Sequence, residues 1–239
     1  MKSNRIIWVK LLSVLLAVSL TACGGGGGGG GGRSSETTAG GNGGTAIDID
    51  GNIYHTVTIG KQVWMVENLK VTKYNNGTAI PLVTDDTAWG NLTTGGYCWY
   101  NNNDVAYKNT YGALYNWYAV NTGKLAPAGW HVPTSYEWNT LTTYLGGMSV
   151  AGGKLKETGT THWQSPNTGA TNESGFTALP GGRLNGSGGY CHIGMCSNWW
   201  SSTELEESAD FWGNYYEDSS MSPALYNKHF GFSVRCIKN

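Results

Sequence analysis

An unbroken run of nine glycines, Gly24–Gly32, divides this chain of 239 residues. Glycine has no side chain to bury, and the polar, glycine-rich composition continues through Gly44. Such a segment behaves as a flexible tether and not as part of a folded core. After it, short apolar stretches alternate with turn residues, and no further linker interrupts them. The sequence therefore predicts a tether over residues 23–45 and one folded domain over residues 46–239.

Residues 1–22 have the layout of a bacterial export signal. Three basic residues precede an apolar run, Leu11–Leu20, which is too short for a stable membrane-spanning anchor. The run ends in Leu20-Thr21-Ala22-Cys23, which resembles the processing box of bacterial lipoproteins. In that box the cysteine receives lipid and becomes the first residue. We therefore predict lipid attachment at Cys23 and display of the domain on the outer membrane or cell surface, with the lipid as its only membrane contact.

The composition limits the classes of function. The chain carries 15 Lys and Arg against 16 Asp and Glu, and charged residues make up only 13% of it, whereas aromatic residues make up 12%. A near-neutral, charge-poor chain with many rings is neither a disordered tail nor a protein that grips nucleic-acid phosphates. An extracellular, β-rich fold with many turns is expected, acting as a monomer without a nucleic-acid partner.

Local patterns predict strands first and then two helices. Ile47–Ile59 indicates two strands joined by a turn at Gly51-Asn52, followed by a third strand over Gln62–Val66. The spacing Asp48-x-Asp50-x-Asn52 favours a hairpin turn, because the downstream glutamate of a calcium loop is missing. Apolar residues at helical spacing predict one helix within Gly112–Val120. A second helix follows Thr134, where Thr134 and Glu137 form a capping box, and Gly146-Gly147 ends it.

Several phrases of the sequence are specific enough to indicate a family. In this order they resemble the Fibrobacter succinogenes major paralogous domain family, found in secreted and lipid-anchored bacterial proteins, whose biochemical role is largely undefined. The phrases are Asp48-Ile-Asp-Gly-Asn, Gln62-Val-Trp-Met-Val-Glu-Asn-Leu69, Tyr111-Gly-Ala-Leu-Tyr-Asn-Trp117, Gly129-Trp-His-Val-Pro-Thr-Ser-Tyr-Glu-Trp138, Gly175-Phe-Thr-Ala-Leu-Pro-Gly-Gly182, Trp199-Trp-Ser-Ser-Thr-Glu204 and Gly231-Phe-Ser-Val-Arg-Cys236.

A looser likeness implies a fold. Val-Pro-Thr-x-x-Glu-Trp before a helix, then Pro-Gly-Gly-Arg and a terminal Gly-Phe-x-x-Arg-Cys, is similar to the formylglycine-generating-enzyme branch of the C-type-lectin-like fold. The resemblance implies an α+β domain with two helices, short and mostly antiparallel sheets, and long loops. Fold alone does not carry activity.

Four cysteines remain once Cys23 is set apart. An even number in an exported chain favours two disulfides out of three possible pairings. Cys98 and Cys236 both belong to the family pattern, and pairing them would tie the last strand to the core, which leaves Cys191 with Cys196 as a local clip. Alternatively, Cys191-His-Ile-Gly-Met-Cys196 resembles the Cys-His-x-x-x-Cys pair with which formylglycine-generating enzymes bind copper and oxidise a substrate cysteine.

Other catalytic patterns are weak. The five histidines show no zinc spacing, and no nucleophile turn of the form Gly-x-Ser-x-Gly occurs. Glu137, Glu157 and Glu173 offer an acid and base for glycoside hydrolysis only in principle, because Glu137 already caps a helix. Arg183 and Arg235 are interpreted as structural hydrogen-bond donors. We therefore predict no catalytic residue, metal or cofactor.

The segment before the terminal strand has the composition of a binding surface. Between Asn185 and Phe230 about half the residues are Tyr, Ser, Gly, Asn or Trp, the residue types of antibody binding sites. We place a ligand face in Glu204–Asn227, where the alternating strand Asp210–Tyr216 is expected to turn its more polar side outward. The predicted contact residues are Glu204, Glu206, Asp210, Trp212, Asn214, Tyr216 and Asp218.

The alternative for this segment is a core role for its rings. We favour that role for Trp199 and Trp200, since neighbours on a strand face opposite sides. The acidic residues nearby are expected to disfavour anionic ligands and to favour cationic ones. Two functions thus stay open: a non-catalytic module that binds an unidentified extracellular glycan or protein, which we favour, and a cysteine- and copper-dependent oxidase of the formylglycine-generating type.

Overall fold

The two ends of the domain meet in one sheet. In the computed structural model, which describes residues 43–239, three N-terminal strands and the last strand of the chain belong to one five-stranded sheet. All pairings in this sheet are antiparallel. The spatial order, with numbers following the chain, is β1 (Thr45–Ile47), β2 (Ile53–Ile59), β3 (Gln62–Met65), β12 (Ile237–Lys238) and β6 (Trp130–His131). The three strands predicted at the start of the domain are confirmed.

The remaining elements are short and alternate along the chain. The helices are α1 (Asp86–Gly90), α2 (Asp104–Tyr111), α3 (Trp117–Asn121), α4 (Ser135–Tyr144) and α5 (Met148–Leu155). The remaining strands are β4 (Tyr97–Cys98), β5 (Leu114–Tyr115), β7 (Gly181–Leu184), β8 (Tyr190–Ile193), β9 (Cys196–Leu205), β10 (Ser208–Tyr215) and β11 (Ser222–Asn227). The predicted α+β class is confirmed, but residues 43–239 hold five α-helices where two were expected.

The turn between β1 and β2 is built around Asp48. Its Oδ1 accepts hydrogen bonds from the backbone N–H groups of Asp50 and Asn52, both at 2.9 Å. Its Oδ2 accepts the hydroxyl of Tyr54 at 2.6 Å. The carboxylate is thus used within its own hairpin, as the turn interpretation predicts.

Helix α4 forms as its capping box predicts. Thr134 Oγ1 accepts the backbone N–H of Glu137 at 3.3 Å, and Glu137 Oε2 accepts the backbone N–H of Thr134 at 2.8 Å. Two N–H groups that the helix would otherwise leave unpaired are therefore satisfied. Gly146 and Gly147 both have φ of +101°, a conformation that other residues rarely adopt, and they separate α4 from α5.

Over Gly112–Val120 the structure differs from the single helix predicted. Leu114 and Tyr115 form β5, and α3 begins only after Asn116, whose Oδ1 accepts the backbone N–H of Ala119 at 3.1 Å. Tyr115 exchanges two backbone hydrogen bonds with Phe232, at 2.9 and 3.1 Å. Pairing with the C-terminal segment therefore overrides the helical spacing of this stretch.

Both faces of the three-stranded sheet, in the order β11-β10-β9, contact other parts of the domain. Trp199 and Trp200 point to opposite faces and each is 0% exposed, so their predicted core role is confirmed. Helices α4 and α5 pack on the Trp199 face. On the other face the Phe232 ring lies 4.5 Å from that of Trp200. This second face is left partly open near the start of β9.

Arg235 is buried at the centre of the domain. Its Nε and Nη2 donate to Asn68 Oδ1 at 3.0 and 2.8 Å, and its Nη1 donates to the backbone oxygens of Met65 and Phe176 at 3.2 and 2.8 Å. The Phe176 ring lies 4.3 Å from the guanidinium carbon. Burial lowers the pKa of Arg235 to about 9. Its predicted role as a structural donor is confirmed.

The predicted membrane attachment belongs to residues that precede the described part of the chain. Within residues 43–239, no helix is both long enough and apolar enough to cross a membrane. The predicted export signal, the lipid site Cys23 and the tether up to residue 42 lie outside the described residues.

The predicted disulfide Cys98–Cys236 is not formed, and both residues are free thiols. Cys98 lies in β4 and packs in an apolar cluster with Trp89. Cys236 packs in a different cluster, directly before β12, which lies between β3 and β6 in the N-terminal sheet. The two cysteines belong to different clusters because β4 pairs with β5, whereas the C-terminal strand pairs with β3 and β6.

The predicted clip Cys191–Cys196 is likewise absent, although the two thiols lie on either side of the short connection between β8 and β9. Cys191 Sγ donates to Asn185 Oδ1 at 3.4 Å. Cys196 Sγ accepts from Asn198 Nδ2 at 3.0 Å. Each thiol therefore has a polar partner of its own.

We expect Cys191 to be the most reactive of these four thiols in the native protein. It is half-buried, whereas Cys98, Cys196 and Cys236 are at most 4% exposed and burial raises the pKa of each of them. Titration with Ellman's reagent without reductant should find one fast thiol in the folded protein and all four after unfolding in guanidinium. A count of zero in the unfolded chain would instead support the two disulfides.

Candidate functional site

A cavity of about 230 Å³ opens where the β7–β8 hairpin meets the Trp200 face of the three-stranded sheet. Hairpin, sheet and the β10–β11 loop all contribute to its wall. The lining residues are Arg183 and His192 from the hairpin, Cys196, Asn198, Phe211, Gly213, Asn214, Tyr215, Ser222 and Ala224 from the sheet, and Asp218 and Ser220 from the loop. We call this space the sheet cavity.

Gly213 forms the floor of the sheet cavity. A Cβ at this position would lie 2.7 Å from Asn198 Oδ1 and 2.8 Å from the backbone oxygen of Ser197. Both distances are shorter than real Cβ contacts, so a larger residue would displace β9. The absent side chain leaves the space between Phe211 and Tyr215, which share this side of β10.

Arg183 supplies the positive charge of the sheet cavity. Its guanidinium carbon lies 5.4 Å from the centre of the Tyr226 ring. Burial acts to lower the pKa of Arg183, but the neighbouring Cys191, Tyr226 and Cys196 side chains together outweigh it and the pKa is raised. Its Nε is buried without a hydrogen-bond partner, and none of the six ion pairs within residues 43–239 includes it. The predicted role of Arg183 as a structural donor is therefore not borne out by its contacts.

The other titratable groups of the wall favour neutral forms. Burial and the charge of Arg183 lower the pKa of His192, so its ring is uncharged at neutral pH. The His192 Nδ1 is buried and has no partner among the described residues. Burial raises the pKa of Cys196 to about 11, which keeps that thiol protonated. Arg183 and the rim residue Asp218 therefore carry the charges of this cavity.

Lys156 holds the loop that closes one side of the sheet cavity. It is 0% exposed, and its Nζ donates to the backbone oxygens of Thr168, Tyr215 and Asp218 at 2.9, 3.1 and 2.8 Å. The same ammonium lies 5.3 Å from the centre of the Trp163 ring. Three carbonyl oxygens and a ring face replace the water that a buried ammonium loses. The end of β10 is thereby fixed to α5.

The predicted outward side of β10 faces inward instead. Asp210, Trp212 and Asn214 are 5%, 2% and 5% exposed, so placing them on a solvent-facing ligand surface was wrong. The Trp212 Nε1 donates to Ser135 Oγ of α4 at 2.9 Å and to Asp210 Oδ2 at 3.2 Å. Asp210 thus supplies an acceptor that a buried indole N–H needs, whereas the Asn214 amide is buried without a partner among the described residues. Asn214 still forms part of the cavity wall.

Of the last two predicted contact residues, Asp218 lines the sheet cavity and Tyr216 does not. Asp218 is exposed on its rim, where Oδ1 accepts from the backbone N–H and hydroxyl of Ser220, both at 2.7 Å. Tyr216 is half-buried against the α4–α5 side, and its hydroxyl donates to Glu217 Oε1 at 2.7 Å.

Glu204 and Glu206 lie at the opposite end of the β9–β10 hairpin. At about 3.4 Å per strand residue, the eight residue-to-residue steps from Asn198 to Glu206 span roughly 27 Å. Glu204 Oε1 pairs with Lys228 Nζ at 2.6 Å, and Glu206 lies in the turn with φ of +46°. Both are exposed, but they do not line the sheet cavity.

Sequence reasoning missed Arg183, His192 and Asn198 as cavity residues. One signal was present: a glycine at 213 between two aromatic residues of the same strand side marks a gap in that side. Arg183 also follows the glycine pair of the Pro-Gly-Gly-Arg phrase, which the fold brings over β9.

Two further cavities carry weaker binding chemistry. One, of about 260 Å³, lies between the β1–β2 turn and Leu125–Ala128, and its cation Lys73 already pairs with Asp50 at 3.1 Å. The other, of about 590 Å³, has no acidic residue, lysine or arginine in its wall, which consists of Gly90, Asn185, Gly186, Ser187, Asn227, His229 and Phe230. The sheet cavity is distinguished from both by an unpaired cation.

Asp210 should make the domain less stable as the pH rises. Burial raises the pKa of Asp210 from 3.8 to about 6, so between these values the folded state keeps a proton that the unfolded chain has lost. The free energy of unfolding then falls as the pH rises from about 4 to about 6. Asp210→Asn keeps an acceptor for Trp212 and should remove this loss, a gain on the order of 1–3 kcal/mol at pH 7.

Chemical denaturation of both proteins between pH 4 and 8 measures that difference. Glu207→Gln, which removes an exposed carboxylate from the same hairpin, is the control and should follow the unchanged protein. A constant difference between Asp210→Asn and the unchanged protein across this range would contradict the raised pKa.

Comparison with known proteins identifies the family of the chain. No curated protein and no solved structure gives a significant match. The family model of the Fibrobacter succinogenes major domain matches residues 57–238, from β2 to the last strand and including every residue of the sheet cavity. The chain therefore belongs to the Fibrobacter succinogenes major domain family.

Proposed function

We propose that this protein is a surface-displayed lipoprotein whose folded domain binds an extracellular glycan or protein ligand without catalysis. The observation that carries this proposal is the sheet cavity, a partly enclosed space with an unpaired cation, aromatic rings and several amide and hydroxyl groups. Concave sites with a few convergent polar groups are where proteins bind small ligands. We therefore place the ligand site in this cavity and not at the acidic turn between β9 and β10.

Anchoring at Cys23 fits the same role. The processing-box phrase would place the lipid at the start of the mature chain, and the glycine-rich tether would separate the domain from the membrane. Nine glycines alone give a mean span of about 15–18 Å. The domain would then meet extracellular ligands while remaining attached to the cell.

We also propose that the domain has the C-type-lectin-like fold. Supporting this, the first and last strands share one sheet, and the long excursion between them contains a separate three-stranded sheet. The sheet cavity lies on that excursion, before the terminal strand.

The copper-dependent oxidase is the less favoured function. Cys196 is only 4% exposed and accepts a hydrogen bond from Asn198, which leaves little access for a substrate cysteine.

Lipid attachment is tested by Cys23→Ser. Because only the thiol of the processing box accepts the lipid, labelling with a radioactive or alkyne fatty acid should disappear and the protein should leave the membrane fraction. Cys191→Ser is the control and should be labelled like the unchanged protein. Labelling of the Cys23→Ser protein would exclude this site.

The binding site is tested by filling the sheet cavity from its exposed edge. Ala224 and Leu225 are adjacent exposed residues of β11, but only Ala224 lines the cavity. The full-length protein in detergent is first applied to an array of glycans and extracellular proteins to find a ligand. Ala224→Trp should then weaken its binding at least about tenfold because the indole occupies the cavity, whereas Leu225→Trp should not.

Thermal unfolding of both variants verifies that the fold is kept. Equal binding by both variants would place the ligand elsewhere, and no retained ligand on the array would contradict the binding function itself.

A further inference from the structure

Arg183 differs from the other buried cations of the described chain. Arg235 donates to three oxygen atoms and Lys156 to three others, so both charges are satisfied inside the domain. Arg183 has no oxygen partner among the described residues, and its Nε is buried without a partner. A half-buried guanidinium whose Nε is enclosed without a partner, and which has no oxygen acceptor among the described residues, favours an anion that supplies one.

The guanidinium is also held in a fixed orientation. The Tyr226 ring lies 5.4 Å from its central carbon, and its Nε is enclosed by the surrounding protein. A planar guanidinium presents two parallel N–H groups to a carboxylate, which an ammonium cannot do. Because the side chain is already positioned, little conformational entropy is lost when a carboxylate binds.

The rest of the wall fits a sugar ring better than a peptide. The volume of about 230 Å³ is below the usual range for drug-sized ligands and suits a single ring. Asn198, Ser220 and Ser222 offer an amide and two hydroxyls, which match the hydroxyl groups of a sugar. Tyr215 and Phe211 offer ring surface for its C–H face.

One wall residue opposes an anion. Asp218 lies exposed on the rim, and its Oδ1 is engaged by Ser220. No ion pair joins Asp218 to Arg183 within the described residues, so its charge acts through solvent at the rim. Water and salt screen such a charge more strongly than the charge of a half-buried arginine.

We infer that the sheet cavity takes a uronic acid residue of an extracellular glycan, with its carboxylate paired to Arg183. The inference rests on the proposed binding function and specifies its ligand. It reverses the preference for cationic ligands that the acidic residues of the sequence suggested, because Glu204 and Glu206 lie far from the cavity.

The test uses calorimetric titration of the full-length protein in detergent with oligosaccharides of glucuronate and of galacturonate and with their methyl esters. At least one acid should bind, and its ester, which lacks the charge, should bind about tenfold or more weakly. Arg183→Gln should weaken binding of the acid by a similar factor, and Arg183→Lys should restore only part of it. Lys61→Gln, which removes an exposed cation outside the cavity, should bind as the unchanged protein does.

Asp218→Asn provides a variant that should gain affinity. It keeps the Oδ1 acceptor for Ser220 but removes the rim charge, so binding of the acid should tighten about two- to fivefold at low salt. This outcome requires a folded protein and does not depend on the stability of the Arg183 variants, whose folding is followed by thermal unfolding.

Three results would overturn the inference. If none of the four oligosaccharides binds while an array ligand is lost in Ala224→Trp, the cavity binds another class of ligand and the proposed function stands. If tetra-aspartate binds and depends on Arg183 whereas the uronates do not, the ligand is an acidic protein segment. If neither oligosaccharides nor array ligands respond to Ala224→Trp, the inference and the cavity proposal both fail.

Discussion

The hydrogen bonds between Arg235 and Asn68 connect the separate parts of this domain. Asn68 Oδ1 accepts two bonds from the guanidinium and a third from the indole of Trp199 at 2.9 Å, while its Nδ2 donates to the backbone oxygen of Tyr111 at 2.9 Å. Arg235 also donates to the backbone oxygens of Met65, the last residue of β3, and of Phe176, which precedes β7. One buried pair thus joins the N-terminal sheet, the end of α2 and β9.

Burying the charge of Arg235 costs solvation free energy, which the contacts around the guanidinium must offset. Arg235 is 1% exposed and has no carboxylate partner within residues 43–239, so its charge is stabilised by neutral oxygens and by the rings of Phe176 and Trp199. If the guanidinium moved, Asn68 Oδ1 would keep only its bond from Trp199, and the backbone oxygens of Met65 and Phe176 would lose their bonds from Arg235. Trp199 is fixed by the same pair, and the position of β9, from which Cys196 and Asn198 reach the sheet cavity, follows from it.

Much of the local structure could be predicted from the sequence, because it depends on neighbouring residues. The capping box of α4 and the Asp48 turn are satisfied within a few residues of the chain. The stretch Gly112–Val120 was mispredicted because Tyr115 pairs with Phe232, more than a hundred residues away. The side of β10 that faces the solvent could not be predicted for a related reason. The alternation of a strand shows which residues share a side. Asp210, however, is buried and accepts a hydrogen bond from the indole of Trp212, so a polar residue at this position does not indicate the solvent-facing side.

The cysteines and the site show the same limit. Two pairings were inferred from number and position along the chain, whereas Cys98 and Cys236 lie in different clusters. The sheet cavity combines Arg183 and His192 of one hairpin with residues of three other strands, so no single segment of sequence contains it. Only the glycine at 213 marked the location locally.

The bonds of Lys156 have a consequence for how this protein can change. All three acceptors, on Thr168, Tyr215 and Asp218, are main-chain oxygens, which every amino acid provides. The loop after β10 is therefore held in place whatever its side chains are. Substitutions in this loop therefore leave the main-chain acceptors of Lys156 in place, so the side chains that border the sheet cavity here can change while the anchor is retained.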